Sequence, residues 1–162
     1  MIDDSAVEIG ARTILLAAGG ELTTDGVLLA TGAAAAQWPA AAGLAVDRRG
    51  FVEVDTTLRS TSHPFVFATG DCATMIDHPR PKSGVYAVRA GPALARNLRR
   101  SVSRAPLDRY VPPSRALNLM VTGRRRAIGT WGGFSFEGVW AWRWKDWIDR
   151  RFMARLADPA AR

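Results

Sequence analysis

The stretch Ser62-His63-Pro64-Phe65-Val66-Phe67-Ala68-Thr69-Gly70-Asp71-Cys72 decides how this chain is read. Phe65, Val66, Phe67 and Ala68 form a short continuous apolar run, the pattern of a strand buried on both faces. Gly70 lets the backbone turn sharply, so Asp71 is expected at the strand's C-terminal edge, where open α/β sheets bind their ligands. A carboxylate fixed there accepts hydrogen bonds from a ligand's hydroxyls. Upstream, a second apolar run, Val27-Leu28-Leu29-Ala30, is expected as another strand and ends in Thr31-Gly32-Ala33. Each run alone is weak, because Gly-Asp after a strand is commonly an ordinary turn. Together they are more specific.

Around these two runs the chain punctuates clearly. The first thirty residues read as β-rich: Val7 to Arg12, Thr13 to Ala17, a Gly19-Gly20 turn, then the Val27 run. Ala33 to Ala42 reads as a short helix or a linker. Leu44 to Val46 and Phe51 to Val54 flank the turn Asp47-Arg48-Arg49-Gly50, with Gly where φ > 0 is needed. A loop over 77–82 leads to a helix from Ser83 to about Ser103. Ser83 is its N-cap, and Pro92 should bend or interrupt it. Three prolines between Ala105 and Pro113 mark a linker. Leu117–Val121 and Ala127–Trp131 then form a hairpin around Gly123 and Arg124-Arg125-Arg126, a basic tip expected to be solvated. Gly132-Gly133 and Glu137-Gly138 mark further turns.

Four of the six tryptophans fall between Val139 and Leu156. Trp140, Trp142 and Trp144 alternate like a strand, while Trp144, Trp147, Ile148, Phe152 and Leu156 recur at helical spacing, so a strand passing into a helix near Arg143 is expected. Tryptophan with arginine suits a helix lying on an anionic membrane surface. Arg151 and Arg155 interrupt the apolar stripe, so packing on the chain's own second domain is the expectation, with peripheral membrane contact as the alternative.

Composition narrows the function classes. At 162 residues and 48 % hydrophobic the chain can bury one substantial core or two small ones. No apolar run reaches the roughly 18 residues a membrane span requires, and Asp3 and Asp4 sit where a signal peptide needs positive charge. A cytoplasmic location follows by default, with the inner face of the membrane as a peripheral site. The single cysteine, Cys72, excludes an internal disulfide or a CxxC redox pair and is expected as a small buried residue. His63 and His78 each precede proline and neither sits near another histidine or a cysteine, so they are expected exposed and no metal site is expected.

Net charge is +7, unevenly held. Residues 1–79 carry four Arg/Lys and ten Asp/Glu, whereas residues 80–162 carry eighteen and five. The second half therefore suits an anionic partner, be it nucleotide, anionic lipid or nucleic acid, although an arginine-rich composition produces the same asymmetry unaided. No RRM, zinc-knuckle or helix-turn-helix pattern accompanies the basic residues, which disfavours nucleic acid.

The pairing of Ala30-Thr31-Gly32 with Gly70-Asp71 resembles the two-dinucleotide-domain flavoproteins, the pyridine nucleotide-disulfide oxidoreductase family in its broad sense. In that family the first motif marks the return from the NAD(P)H domain and the second supplies an aspartate to FAD. The resemblance extends to the NADH dehydrogenase-like module that occurs alone or fused to selenide, water dikinase. It is carried by Gly43-Leu44-Ala45-Val46-Asp47, Gly50-Phe51-Val52, Ser62-His63-Pro64, Gly70-Asp71-Cys72, Arg80-Pro81-Lys82-Ser83-Gly84-Val85, Ala87-Val88-Arg89 and Trp142-Arg143-Trp144-Lys145-Asp146. It implies an α/β fold, an incomplete FAD/NAD(P)-binding (Rossmann-like) domain followed by a small α+β C-terminal domain. The implied divisions are 1–30, the end of the NAD(P)H domain; 31–104, the second half of the FAD domain; a linker over 105–113; and a C-terminal domain over 114–162.

The implied cofactors are FAD and NAD(P)H, with Thr31, Gly32, Gly70, Asp71, Lys82, Ser83, Gly84 and Val85 as the cofactor-binding residues. Asp71 would accept from ribityl hydroxyls. The helix opening at Ser83 would aim free N–H groups at the flavin, with Lys82 adding positive charge. No HPxxxE segment is present near the C-terminus, so no proton-transfer residue is assigned. Type II NADH dehydrogenases carry AQxAxQ at the matching helix, where this chain has Gly84-Val85-Tyr86-Ala87-Val88-Arg89, which disfavours quinone as acceptor. No G-x-G-x-x-G turn occurs anywhere. The expectation is thus a fragment of an FAD-dependent NAD(P)H oxidoreductase, inactive alone, whose missing N-terminal half or fused dikinase would be its partner. The alternative is a non-catalytic basic module that docks on nucleic acid, anionic lipid or a partner subunit.

Overall fold

The computed structural model describes residues 3–157. It divides into two units, one ending at Gly32 and one running on from Ala33. The first is an antiparallel meander of β1 (Ala6–Ile9), β2 (Thr13–Leu16) and β3 (Glu21–Thr23), in that order. Gly19, at φ 89°, closes the β2–β3 turn by donating its N–H to Leu16 O at 3.0 Å. Val27–Ala30 does not form the expected strand. Leu28 is 94 % exposed, because an apolar run without a neighbouring strand for its N–H and C=O groups builds no ladder.

The second unit opens with α1 (Trp38–Ala41), a single turn set by Pro39. The turn over Asp47–Gly50 forms as its glycine predicts. Gly50 has φ 86° and donates to Asp47 O at 2.9 Å, and Val46 bridges Val52 in antiparallel fashion. β4 (Val52–Val54) then pairs in parallel with β5 (Ala73–Met75). The register sets Val52 beside Ala73 and Val54 beside Met75, so alternate residues of both strands enter one core. Leu58, Ala90 and Ala93 complete that core.

The strand expected over 65–68 is displaced. Phe65 is 90 % exposed, and only Phe67 makes a bridge, to Arg59. A turn takes the Val66 N–H onto His63 O at 3.1 Å, so the run keeps only a short antiparallel pairing with 58–60, Ser60 N–H donating to Val66 O at 2.8 Å and Ala68 N–H to Leu58 O at 3.1 Å. The regular strand, β5, follows Gly-Asp instead of preceding it. Asp71 therefore lies on a 3₁₀ turn over Gly70–Cys72 that leads into β5, not at a strand's C-terminal edge.

The long helix α2 (Gly84–Val102) begins where the sequence predicts, with Ser83 at the N-cap position. The cap is made by backbone alone: the Ser83 side chain forms no capping bond, and its carbonyl accepts from Tyr86 and Ala87. Pro92 neither ends nor interrupts the helix. Ala90, Ala93 and Asn97, one turn apart, form its buried side. Asn97 is fully buried and fully bonded, donating to Thr57 O and Asp108 O at 2.8 Å each and accepting from Asp108 N–H at 2.9 Å. The proline-rich segment 105–113 is thus fastened to the unit. Arg80 donates to Pro113 O at 3.0 Å and to Pro112 O at 3.3 Å, and Tyr110 N–H reaches Thr56 O.

Beyond it, β6 (Asn118–Gly123), β7 (Arg126–Trp131) and β8 (Phe134–Gly138) form an antiparallel sheet in sequence order. Arg124 and Arg125, at φ 46° and 55°, make the first two-residue turn, and Gly132 and Gly133 make the second. The helix α3 (Val139–Ala157) begins directly after Gly138, whose φ of 141° ends the strand. Trp140 and Trp142 are therefore helical, and the expected change of structure near Arg143 lies at Gly138. Ala127 and Ala141, both at 0 % exposure, let α3 sit close on the sheet. Trp140 and Trp144 lie at the margin of that packing, each stacked on Phe136 of β8 and still partly exposed, while Trp147 is exposed. No described helix is long and apolar enough to cross a membrane.

Candidate functional site

The site is assembled by a glycine. Gly70 has φ 76°, and a Cβ on it would meet the Ala87 Cβ at 3.3 Å. Only a residue without a side chain both adopts this backbone and lets the 3₁₀ turn lie against the first turns of α2. Asp71 is carried by that contact to the wall of two clefts. One, about 60 Å³, is lined by Asp71, Lys82, Ser83, Tyr86 and Tyr110 among others and has room for only a few waters. The other, about 570 Å³, is bordered by Ala34–Ala36, Trp38, Val66–Thr69, Asp71, Cys72 and Leu94, and is of ligand size. Ala68, Thr69 and Asp71 belong to both.

Asp71 is exposed, and no described protein group donates to its carboxylate. Close by, the Gly84 and Val85 amides open α2, where a helix has no internal acceptors for its first N–H groups. Lys82 takes a different position from the one expected. Its Nζ turns inward, donating to Ala73 O and to Thr74 Oγ1 at 2.8 Å, and stands 4.1 Å from the centre of the Phe51 ring. Burial pushes the Lys82 ammonium below its usual range, opposed chiefly by the Asp47 charge and also by Asp71 and Cys72.

Asp47 closes this network. Burial alone would raise its pKa, but hydrogen bonds from Thr74 Oγ1 at 2.7 Å and from the amides of Phe51 and Arg49, with the Lys82 charge, hold it below the usual aspartate value. The chain Lys82–Thr74–Asp47 thereby ties the loop before α2 to β5 and to the turn before β4.

Of the expected cofactor residues, Gly70, Asp71, Lys82, Ser83, Gly84 and Val85 come together in the second unit. Thr31 and Gly32 are exposed residues at the end of the first unit. Cys72, expected buried, is exposed, its Sγ donating to Thr69 O at 3.2 Å, because the 3₁₀ turn carries it outward beside Asp71. His63 and His78, expected exposed, are half-buried, and His63 Nδ1 lies 2.9 Å from Ser62 Oγ. No group of three metal-ligating side chains converges among the described residues. Sequence reasoning missed Asp47, Thr74 and Phe51. The bonds from Asp47 to residues two and four ahead suit a turn-starting aspartate, but its link to Thr74 spans 27 residues and has no local signal.

A family model described as Pyridine nucleotide-disulphide oxidoreductase matches residues 2–91, more than half of the chain. The chain belongs to this family. The matched region of this pyridine nucleotide-disulphide oxidoreductase contains all eight expected cofactor residues. Among solved structures, it is similar to the sulfide:quinone oxidoreductase from the hyperthermophilic bacterium Aquifex aeolicus, at 17 % identity and a TM-score of 0.70. That match covers 94 % of this chain and 40 % of the other, so the chain spans less than half of that structure's length and shares its fold. No curated protein matches.

Proposed function

We propose that the chain is the FAD-holding portion of an oxidoreductase that moves hydride from NAD(P)H to flavin and electrons onward to a separate acceptor. The carrying observation is the contact of Gly70 with Ala87, which sets an unpartnered carboxylate beside a helix opening at the edge of a ligand-sized cleft. These groups fit a flavin: Asp71 would accept from its ribityl hydroxyls, and the Gly84 and Val85 amides would face its electron-rich edge. Bound there, FAD supplies the hydride and electron transfer that no side chain of the chain supplies. The chain's own contribution is to bind, orient and polarise. The α2 opening presents roughly half a positive charge, which favours a ligand edge that gains negative charge on reduction. Lys82 holds that opening against β5.

The reading includes a longer protein. Both dinucleotide fingerprints would lie outside this sequence, which holds no G-x-G-x-x-G turn. Val27–Ala30 supports this, since it is an apolar run left without a ladder. Within the family, the segments from Gly43 to Asp146 favour the NADH dehydrogenase-like module, with selenide, water dikinase as a fusion partner. Gly84 to Arg89, in place of AQxAxQ, favours an acceptor other than quinone.

The test is FAD retention by wild type and Asp71→Ala, measured in the longest reading frame that contains this chain. Loss of flavin absorbance in the variant, with the fold kept by circular dichroism, is expected. Equal flavin content in the two proteins would sink the reading.

A further inference from the structure

We infer that the smaller of the two clefts is a binding site for a small free oxyanion of the phosphate or sulfate kind, anchored by the Tyr110 hydroxyl. Among the described residues, Tyr110 Oη is the one buried side-chain polar atom with no hydrogen-bond partner. A buried O–H that finds no acceptor carries the full cost of its desolvation, so this phenol calls for a ligand. Tyr110 lines the smaller cleft and not the larger one, which says where the acceptor belongs. The residue is held in place, its ring packed on the β4–β5 core and its N–H bonded to Thr56 O at 2.8 Å. Burial pushes the hydroxyl above its usual pKa range, opposed chiefly by the Arg89 charge and also by Arg80. It is therefore a neutral donor in a positive field.

Size and charge select the occupant. At about 60 Å³ the cleft takes about four waters or one compact anion, well short of the roughly 300 Å³ at which cofactor pockets begin. Two cations, Arg80 and Lys82, line it against one acid, Asp71. The Arg80 guanidinium is fixed by the carbonyls of Pro79, Pro112 and Pro113, which hold its position and leave its charge uncompensated. Lys82 Nζ is bonded to Ala73 O and Thr74 Oγ1 and keeps a third N–H. Ser83, on the same wall, makes no capping bond with its side chain, so its hydroxyl is also a donor to spare. A water would accept from Tyr110 and leave the positive field as it is. An oxyanion accepts from Tyr110, Ser83 and Lys82 at once and neutralises part of that field.

The inference stands apart from the flavin reading, and both are read in one protein, the longest reading frame that contains this chain. Thermal unfolding is followed by circular dichroism in sodium phosphate and in sodium chloride of equal ionic strength. A saturable rise in melting temperature with phosphate is the expected result. Tyr110→Phe should need roughly tenfold more phosphate for half of that rise, the loss of one hydrogen bond to a charged group. Phosphate also stabilises proteins generally by exclusion from their surface, an effect that neither saturates nor depends on Tyr110. Arg89→Gln, exposed on α2 and outside the cleft lining, should weaken binding roughly threefold by reducing the field at the phenol. Flavin absorbance should be equal in Tyr110→Phe and wild type, so the two readings fail separately. The inference is overturned by a rise that does not saturate, by equal phosphate dependence in wild type and Tyr110→Phe, or by equal binding of phenyl phosphate, whose ring the cleft does not admit.

Discussion

Gly70 and Asp71 do different work, and substitutions separate it. At Gly70, a φ of 76° and the 3.3 Å approach to Ala87 act together. Gly70→Ala should lower stability by about 2 kcal/mol, mostly from the left-handed backbone and partly from crowding. Denaturant midpoints read this, and adding Ala87→Gly should restore only the crowding part, since the second change relieves the contact but not the dihedral. Asp47 provides a pH test. Its pKa is held below the ordinary aspartate value in the folded chain because Thr74 and two amides bond its charged form, against the opposing effect of burial. That contribution is fully present above the unfolded value and is lost as pH falls through the lower folded value. Asp47→Asn should therefore flatten the acid side of the stability–pH profile and leave its alkaline side unchanged. An unaltered acid limb would mean that the Asp47 network does not hold β4, β5 and Lys82 together.

Elements whose ends carry their own signal were legible: α2 from Ser83, the Asp47–Gly50 turn, the first C-terminal hairpin and the Gly132-Gly133 turn, whereas β8 was not. The Arg124-Arg125 turn shows how a rule can hold with unfavourable residues, because two arginines occupy positive φ where Asn or Gly is preferred. Arg124→Asn should raise stability by about 0.5 kcal/mol, seen as a higher melting temperature, while Arg125 keeps its place over the Trp142 ring. Asn97 works the other way. It looks like an ordinary polar helix residue, yet it holds three backbone groups of two distant segments. Asn97→Leu strands those groups in the interior and should cost about 3 kcal/mol by denaturant unfolding. The Trp140–Trp144 pattern misled for a related reason. Alternation suggested a strand, but the deciding residue was Gly138, which ends β8 and lets α3 start at once.

For the molecule as a whole, the legible part was the part specified locally. The strand at 27–30 was not, because a strand exists only when another takes its hydrogen bonds, and composition says nothing of whether that neighbour is present; over 65–68 the pairing shrinks to one bridge, Phe67 with Arg59. The candidate site followed the same division: Gly70, Asp71 and the α2 opening were visible as motifs, whereas the inward turn of Lys82 depends on Thr74 and Asp47. Stability is distributed unevenly for the same cause. Among the described residues, the buried hydrophobic ones all lie from Phe51 onward, whereas every residue of β1 is exposed. The β1–β3 meander therefore rests on backbone hydrogen bonds with little apolar burial behind them. Hydrogen exchange should find the amides of β2 and β3 opening far more readily than those of β5 and the Ala90–Asn97 part of α2. Equal protection in both regions would mean that the meander draws on a core of its own, and the assignment of the stability to β4, β5 and α2 would fail.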